Sequence, residues 1–284
     1  MIVVSGATGK IGTEIVGMLR KQGKEVAALT RNPTMAQAPS GVHAVPWNPS
    51  RPQMPDLPVD QIEALFICPR AMGDQHPGEV AKELLASAVD RGARRVTLLS
   101  AVTVQFGGGY RRFAKTFETI EDAVRASSLS WTILRCTDFS SNAIAWAPQI
   151  RSTTVVRGAY GDATTSTIHD RDVAAVSAET LLDDDHSGCS YVLSGPESLS
   201  QRDKVQIIGD IIGKQVAWQE ISPEEVREAM ISRGIPPEIP DRMLGYLADH
   251  IERAGPSSDT VERLLGRPPM SYAEWIAEHR EAFQ

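Results

Sequence analysis

A β-branched run, Ile2-Val3-Val4-Ser5, passes within the first dozen residues into Gly6-Ala7-Thr8-Gly9-Lys10-Ile11-Gly12 and an amphipathic stretch from Lys10 to Gln22. Ile11, Ile15, Met18 and Leu19 fall on one face of that stretch at i, i+4, i+7 and i+8, the period of a helix packed on a core. Three glycines between a strand and a helix restrict the fold sharply. Gly6 makes the tight turn, Gly9 lets backbone approach a pyrophosphate, and Gly12 allows close packing of helix on strand. The N–H groups at the helix start then face the anion. The spacing, G-x-x-G-x-x-G, is one residue longer in its first gap than the G-x-G-x-x-G of dinucleotide-binding turns.

The rest of the first half continues the same alternation. Glu25 to Leu29, Val42 to Val45, Ala64 to Cys68, Arg95 to Ser100 and Trp131 to Arg135 read as strands, and Pro77 to Arg91 and Arg112 to Ser128 as helices. Strand and helix in turn predict a parallel sheet with helices on both faces. Pro33 to Pro58 carries too many prolines for helix and predicts one short strand in irregular loop. From about Ser194 the pattern becomes mainly helical, with capping-box starts at Ser200-Gln-Arg-Asp203, Ser222-Pro-Glu-Glu225 and Ser271-Tyr-Ala-Glu274, and with Gly213 and Gly234 closing the first two helices.

The second strand ends in Thr30-Arg31-Asn32-Pro33, with Arg31 19 residues past Gly12. A carboxylate there would bind the ribose 2′-hydroxyl of NAD. A guanidinium instead favours a 2′-phosphate, which it can grip in bidentate fashion.

Composition narrows the partners. The 284 residues carry 29 Lys and Arg against 36 Asp and Glu, a formal charge of −7, with no dense basic stripe, which argues against nucleic acid. No apolar run approaches the roughly 20 residues that span a bilayer, and Met1 leads straight into the first strand, so the expected compartment is the cytoplasm. Cys68, Cys136 and Cys189 are far apart and read as free thiols in small core positions.

Ser5-Gly-Ala-Thr-Gly-Lys-Ile-Gly12, Thr30-Arg-Asn-Pro33, Trp131-Thr-Ile-Leu-Arg135, Phe139-Ser-Ser-Asn142 and Ile168-His-Asp-Arg-Asp-Val-Ala174 together resemble the NmrA-like branch of the atypical short-chain dehydrogenases/reductases. Leu193-Ser-Gly-Pro196, the Ser200 helix, Leu264-Leu-Gly-Arg-Pro-Pro269 and Tyr272-Ala-Glu-Trp275 extend the likeness over almost the whole chain. The resemblance implies an α/β fold: a Rossmann-type doubly wound parallel sheet over residues 1–155, with a smaller, mainly helical C-terminal region over 156–284 for substrate or partner. It implies NADP(H) as cofactor and, as in many short-chain reductases, a homodimer. The expected cofactor set is Gly6, Ala7, Thr8, Gly9, Lys10, Ile11, Gly12 and Arg31, with Cys68, Pro69, Ser100 and Cys136 near the carboxyl ends of later strands, and Lys115.

Short-chain reductases commonly pair a Ser at the end of the fifth strand with Tyr-x-x-x-Lys. Ser100 matches the Ser, but Tyr110 and Lys115 are five residues apart, not four. On a helix that turns Lys115 about 140° away from the tyrosine. Either Gly107-Gly108-Gly109 holds Tyr110 in a loop where it can meet Lys115, or the dyad is absent and Lys115 alone, or no side chain, assists hydride transfer. Phe106, Tyr110, Phe139, Trp146, Tyr160 and His169 are the candidate walls of a cleft for a flat aromatic substrate, although core packing accounts for any one of them. Asp172 reads as the N-cap of a helix from Val173 to Leu182, Asp183 to His186 as a solvated turn, and no metal is expected. The function that follows is NADPH-dependent reduction of a small conjugated carbonyl or quinone-like compound. The alternatives are an NADP(H)-sensing regulatory protein without turnover and, on weaker grounds, a sugar-nucleotide epimerase.

Overall fold

The computed structural model describes residues 1–31, 40–106 and 111–284. Its elements run β1 (Ile2–Ser5), α1 (Lys10–Lys21), β2 (Val26–Thr30), β3 (Val42–Pro46), β4 (Ala64–Ile67), α2 (Pro77–Asp90), β5 (Arg95–Ala101), α3 (Thr103–Phe106), α4 (Arg111–Arg125) and β6 (Ser130–Cys136). There follow α5 (Ala147–Thr153), β7 (Val155–Gly158), β8 (Thr164–Thr165), α6 (Asp170–Leu182), β9 (Cys189–Leu193), β10 (Leu199–Ser200), α7 (Gln201–Ile212) and β11 (Ala217–Glu220). The chain ends in α8 (Pro223–Ile231), α9 (Glu238–Ala248), α10 (Thr260–Leu265) and α11 (Tyr272–Glu278).

Seven strands form the main sheet in the order β3-β2-β1-β4-β5-β6-β9. Val3 pairs with Ala27 on one side and Leu65 on the other, both in parallel register. The sheet is buried on both faces, which is why β1, β2 and β4 read as unbroken apolar runs. Val3, Ala27, Leu65, Ile67, Val96 and Leu98 point into one core with Leu84 and Leu85 of α2 and Ile120 and Val124 of α4. The alternate residues face α6: Thr97 Oγ1 lies 3.0 Å from Thr180 Oγ1, and Arg95 Nε donates to the Leu181 carbonyl at 3.1 Å. Helices therefore cover both faces, as the alternating sequence pattern predicts. No helix among the described residues is long and apolar enough to cross a membrane.

The chain forms two compact units, and the boundary differs from a single division at residue 155. The first comprises 1–104, 115–135 and 170–191, and the second 105–114, 136–169 and 192–284. The strand-rich first unit takes α6 back from the second half because the apolar side of that helix covers the sheet. Within the second unit, β7 pairs with β11 in parallel and β8 with β10 antiparallel. One apolar core there joins α5, α7 and α11 through Ile150, Val205, Ile208, Tyr272, Trp275 and Ile276. All three predicted capping boxes form, at Ser200, Ser222 and Ser271. The helix predicted to start at Val173 begins instead at Asp170, so Asp172 lies buried in its first turn rather than at the N-cap, where its charge still complements the helix dipole.

Candidate functional site

The turn between β1 and α1 is shaped by its glycines. Gly6 has φ +65°, a conformation that L side chains rarely adopt, and a Cβ there would stand 2.8 Å from that of Cys68. Gly9 N–H donates to the Gly6 carbonyl at 3.0 Å, closing the turn. A Cβ on Gly12 would collide with the same carbonyl, so the helix approaches the strand as closely as backbone permits. Gly9 is the N-cap of α1, and among the described residues no side chain caps it. The first turn carries no acid, and Thr8, Gly9 and Lys10 are exposed while Ala7 and Gly12 are buried.

This arrangement fits the pyrophosphate of a dinucleotide. A helix start without a side-chain cap presents N–H groups and the positive end of the helix dipole. A Cβ on Gly9 would meet nothing closer than the Gly6 oxygen at 3.3 Å and would fill the space over the turn. At the end of β2, Thr30 is buried and Arg31 is exposed, with no carboxylate beside them in sequence.

The neighbouring strand ends continue the same edge. Cys68 N–H donates to Ser5 Oγ at 2.9 Å, joining the ends of β4 and β1, and Pro69 opens a short 3₁₀ turn. Burial pushes the Cys68 thiol pKa up, so it is not poised as a nucleophile. Cys136, at the end of β6, is buried, whereas Cys189 is only half-buried. Lys115 on α4 is largely exposed and ion-paired with Glu118 at 3.3 Å.

Ser100 is buried, and its hydroxyl donates to Glu121 Oε1 at 2.6 Å. Glu121 also accepts two bonds from Arg135, at 3.0 and 2.7 Å, and one from Arg125 at 2.6 Å. Burial raises the pKa of this carboxyl, but the bonds from Arg135 and Ser100 and the charge of Arg135 outweigh it and hold it below the usual range. Sequence reading singled out Ser100 and missed Glu121. The Glu121–Arg125 pair at i, i+4 was the one available signal, since Arg135 arrives from the next strand.

The expected substrate walls disperse. Phe106 is 53% exposed, and Tyr110 lies outside the described residues. Phe139 is half-buried and bridges to Ile168 through backbone. Trp146 packs edge-on to Trp218 with centroids 6.2 Å apart, in the core with α7 and α11. Tyr160, at φ +60°, packs in a different cluster against Ala159, Val226 and Leu244. Trp146 and Tyr160 thus pack against two different apolar clusters. His169 is 1% exposed, with Nε2 3.5 Å from Glu278 Oε2.

In the Asp183 to His186 turn the three aspartates are exposed, as expected of a solvated turn, and only the histidine departs from that reading. His186 is buried with Nδ1 3.1 Å from the Tyr191 hydroxyl, and ligand atoms of Glu179, Asp183 and His186 lie within 4.8 Å of one another.

Residues 6–184 match a family model described as NAD(P)H-binding. The chain is 32% identical to the (4-alkanoyl-5-oxo-2,5-dihydrofuran-3-yl)methyl phosphate reductase of Streptomyces griseus, over all of this chain and 99% of that one. It is 27% identical to the NAD(P)H azoreductase of Xenophilus azovorans, again over 100% and 99% of the two chains. Among solved structures, an NADPH-dependent quinone oxidoreductase of Escherichia coli, complexed with NADPH, superposes with a TM-score of 0.81 at 23% identity, over 98% of this chain and 99% of that one.

Proposed function

The chain belongs to the NAD(P)H-binding family, in the NmrA-like branch of the atypical short-chain dehydrogenases/reductases, and from that premise we propose that it reduces a small conjugated carbonyl or quinone-like compound with NADPH. The observation that carries the proposal is the turn itself: Gly6 in the left-handed region, Gly9 as a bare N-cap, and Gly12 against the Gly6 carbonyl. NADPH bound there supplies a hydride. The start of α1 holds the pyrophosphate, and Arg31 distinguishes the 2′-phosphate from a bare ribose.

The substrate class rests on what the side chains can do. Ser100 gives its hydroxyl to Glu121, so its role is to fix the ends of β5 and β6 beneath the cofactor rather than to donate a proton. Lys115 reaches a ribose only by leaving Glu118, which makes it a holder of the cofactor more than an acid. A site with little acid assistance suits acceptors whose added charge spreads by conjugation. An acylated dihydrofuranone, an azo compound and a quinone, named for the three relatives, all have that property.

The test is steady-state NADPH oxidation against acyl butenolides, quinones, azo dyes and saturated ketones. Turnover of the conjugated compounds and none of the saturated ketones is expected. No turnover of any conjugated acceptor, with tight NADPH binding, would defeat the proposal in favour of a dinucleotide sensor.

A further inference from the structure

The second unit holds a group of polar side chains with buried atoms that the cofactor turn does not use. Asp138 follows β6, and its Oδ2 accepts from Thr165 Oγ1 at 3.1 Å, Thr167 Oγ1 at 2.8 Å and Lys204 Nζ at 3.1 Å. Lys204, 3% exposed on α7, also donates to Thr165 Oγ1 at 2.6 Å. The other carboxylate oxygen, Asp138 Oδ1, is buried and has no hydrogen-bond partner among the described residues. The hydroxyls of Tyr246 and Tyr272 are buried and equally without partners there.

These groups converge on one region. Tyr272 is 2% exposed and shares an apolar core with Val205 and Ile208, on the helix that carries Lys204. Tyr246 stacks edge-on to His250 with centroids 4.6 Å apart, and the His250 carbonyl accepts from Thr164 N–H at 2.9 Å, one residue from Thr165. Burial, and then the charge of Asp138, push both phenols up, so they remain protonated donors at any working pH. Native interiors leave few buried polar atoms without partners, and one acceptor and two donors in one region point to a ligand that completes them.

We propose that Asp138, Lys204, Tyr246 and Tyr272 form the binding site for an uncharged oxygen-bearing group of the substrate, a carbonyl that accepts from the phenols or a hydroxyl that donates to Asp138 Oδ1. Asp138 and Lys204 neutralise one another, so a charged group would be desolvated here without a counter-charge, and a neutral one is preferred. The Asp138 side chain is 22% exposed, so the residue reaches the surface while Oδ1 and the two phenol oxygens stay buried. This assignment of the substrate's polar end rests on the reductase reading above, and its test separates the two.

Calorimetric titration of 1,4-naphthoquinone into the full chain saturated with NADP⁺ measures binding without turnover. Tyr272→Phe and Tyr246→Phe are each expected to raise Kd about tenfold, the effect of losing one hydrogen bond to a buried ligand, with NADP⁺ affinity unchanged. Each variant removes only a hydroxyl without a partner among the described residues, so the melting temperature should hold or rise. If one of them melts lower, the other carries the measurement. A Kd within twofold of the parent in the folded variants overturns the assignment, as does absence of binding in the parent. NADPH oxidation by naphthoquinone is scored separately. Turnover with unaltered Kd in the variants removes the site and leaves the reductase, while binding that the variants weaken, without turnover in the parent, does the reverse.

Discussion

Replacing Glu121 by Ala should destabilise the protein by about 3 kcal/mol without touching the cofactor turn. The carboxylate is fully buried and takes four hydrogen bonds, from Ser100, Arg125 and twice from Arg135. Removing one partner of a buried ion pair costs about 3–5 kcal/mol, mostly because the remaining charge is left without compensation. Here the side chain of Arg135 is 14% exposed and that of Arg125 35%, so water screens much of the Arg125 share and the lower end of the range applies. At roughly 2–4 °C per kcal/mol for a chain of this class, the melting temperature should fall by about 6–12 °C. The pH dependence has a definite sign. The folded pKa of Glu121 lies below its ordinary value of 4.5. Its contribution is therefore full above that value and is lost as pH falls through the folded pKa. Urea unfolding of parent and Glu121→Ala between pH 7 and pH 3 should show a constant difference above the ordinary value of 4.5 that narrows as the pH falls below it toward the folded pKa. A difference under about 1 kcal/mol at pH 7, or one that widens toward acid, would mean that Glu121 is not a buried charge held by these four bonds.

Arg31→Ala should weaken NADPH about 10- to 150-fold and leave NADH nearly unchanged, the effect of losing charge-assisted bonds of roughly 1.5–3 kcal/mol, measured by calorimetry. Gly12→Ala should cost about 1–3 kcal/mol in denaturant unfolding, because its methyl must displace the Gly6 carbonyl, and an unchanged midpoint would exclude close helix-to-strand contact. Tyr110→Phe should lower kcat by less than about tenfold at saturating NADPH, whereas a general acid would give roughly 10²- to 10⁴-fold.

The parts of this molecule that local chemistry dictates are legible in its sequence. The first strand is found at Ile2 to Ser5 as predicted, and α1 and α2 end within a residue of their expected limits, because periodicity, Pro77 and the glycines act over a few residues. The cofactor turn is legible for the same reason. What escaped depends on residues brought together from afar. Ser100, Glu121 and Arg135 come from a strand, a helix and the next strand. Asp138 and Lys204 meet across 66 residues. The return of α6 to the sheet follows from its burial on both β5 and α1, which no motif announces. The aromatic residues do not separate the two readings, because Trp146 and Tyr160 look alike in sequence whether they line a cleft or fill a core.

Gly9→Val tests whether the turn after β1 holds NADP(H). A Cβ at that position meets only the Gly6 oxygen, at 3.3 Å, so that carbonyl must give by a few tenths of an ångström; a melting curve identifies the folded variant, whose branches would fill the space meant for the pyrophosphate. In calorimetry the parent should bind NADPH more tightly than NADH, and folded Gly9→Val should bind neither measurably. Unchanged NADPH affinity in the folded variant would put the glycine turn outside the cofactor site.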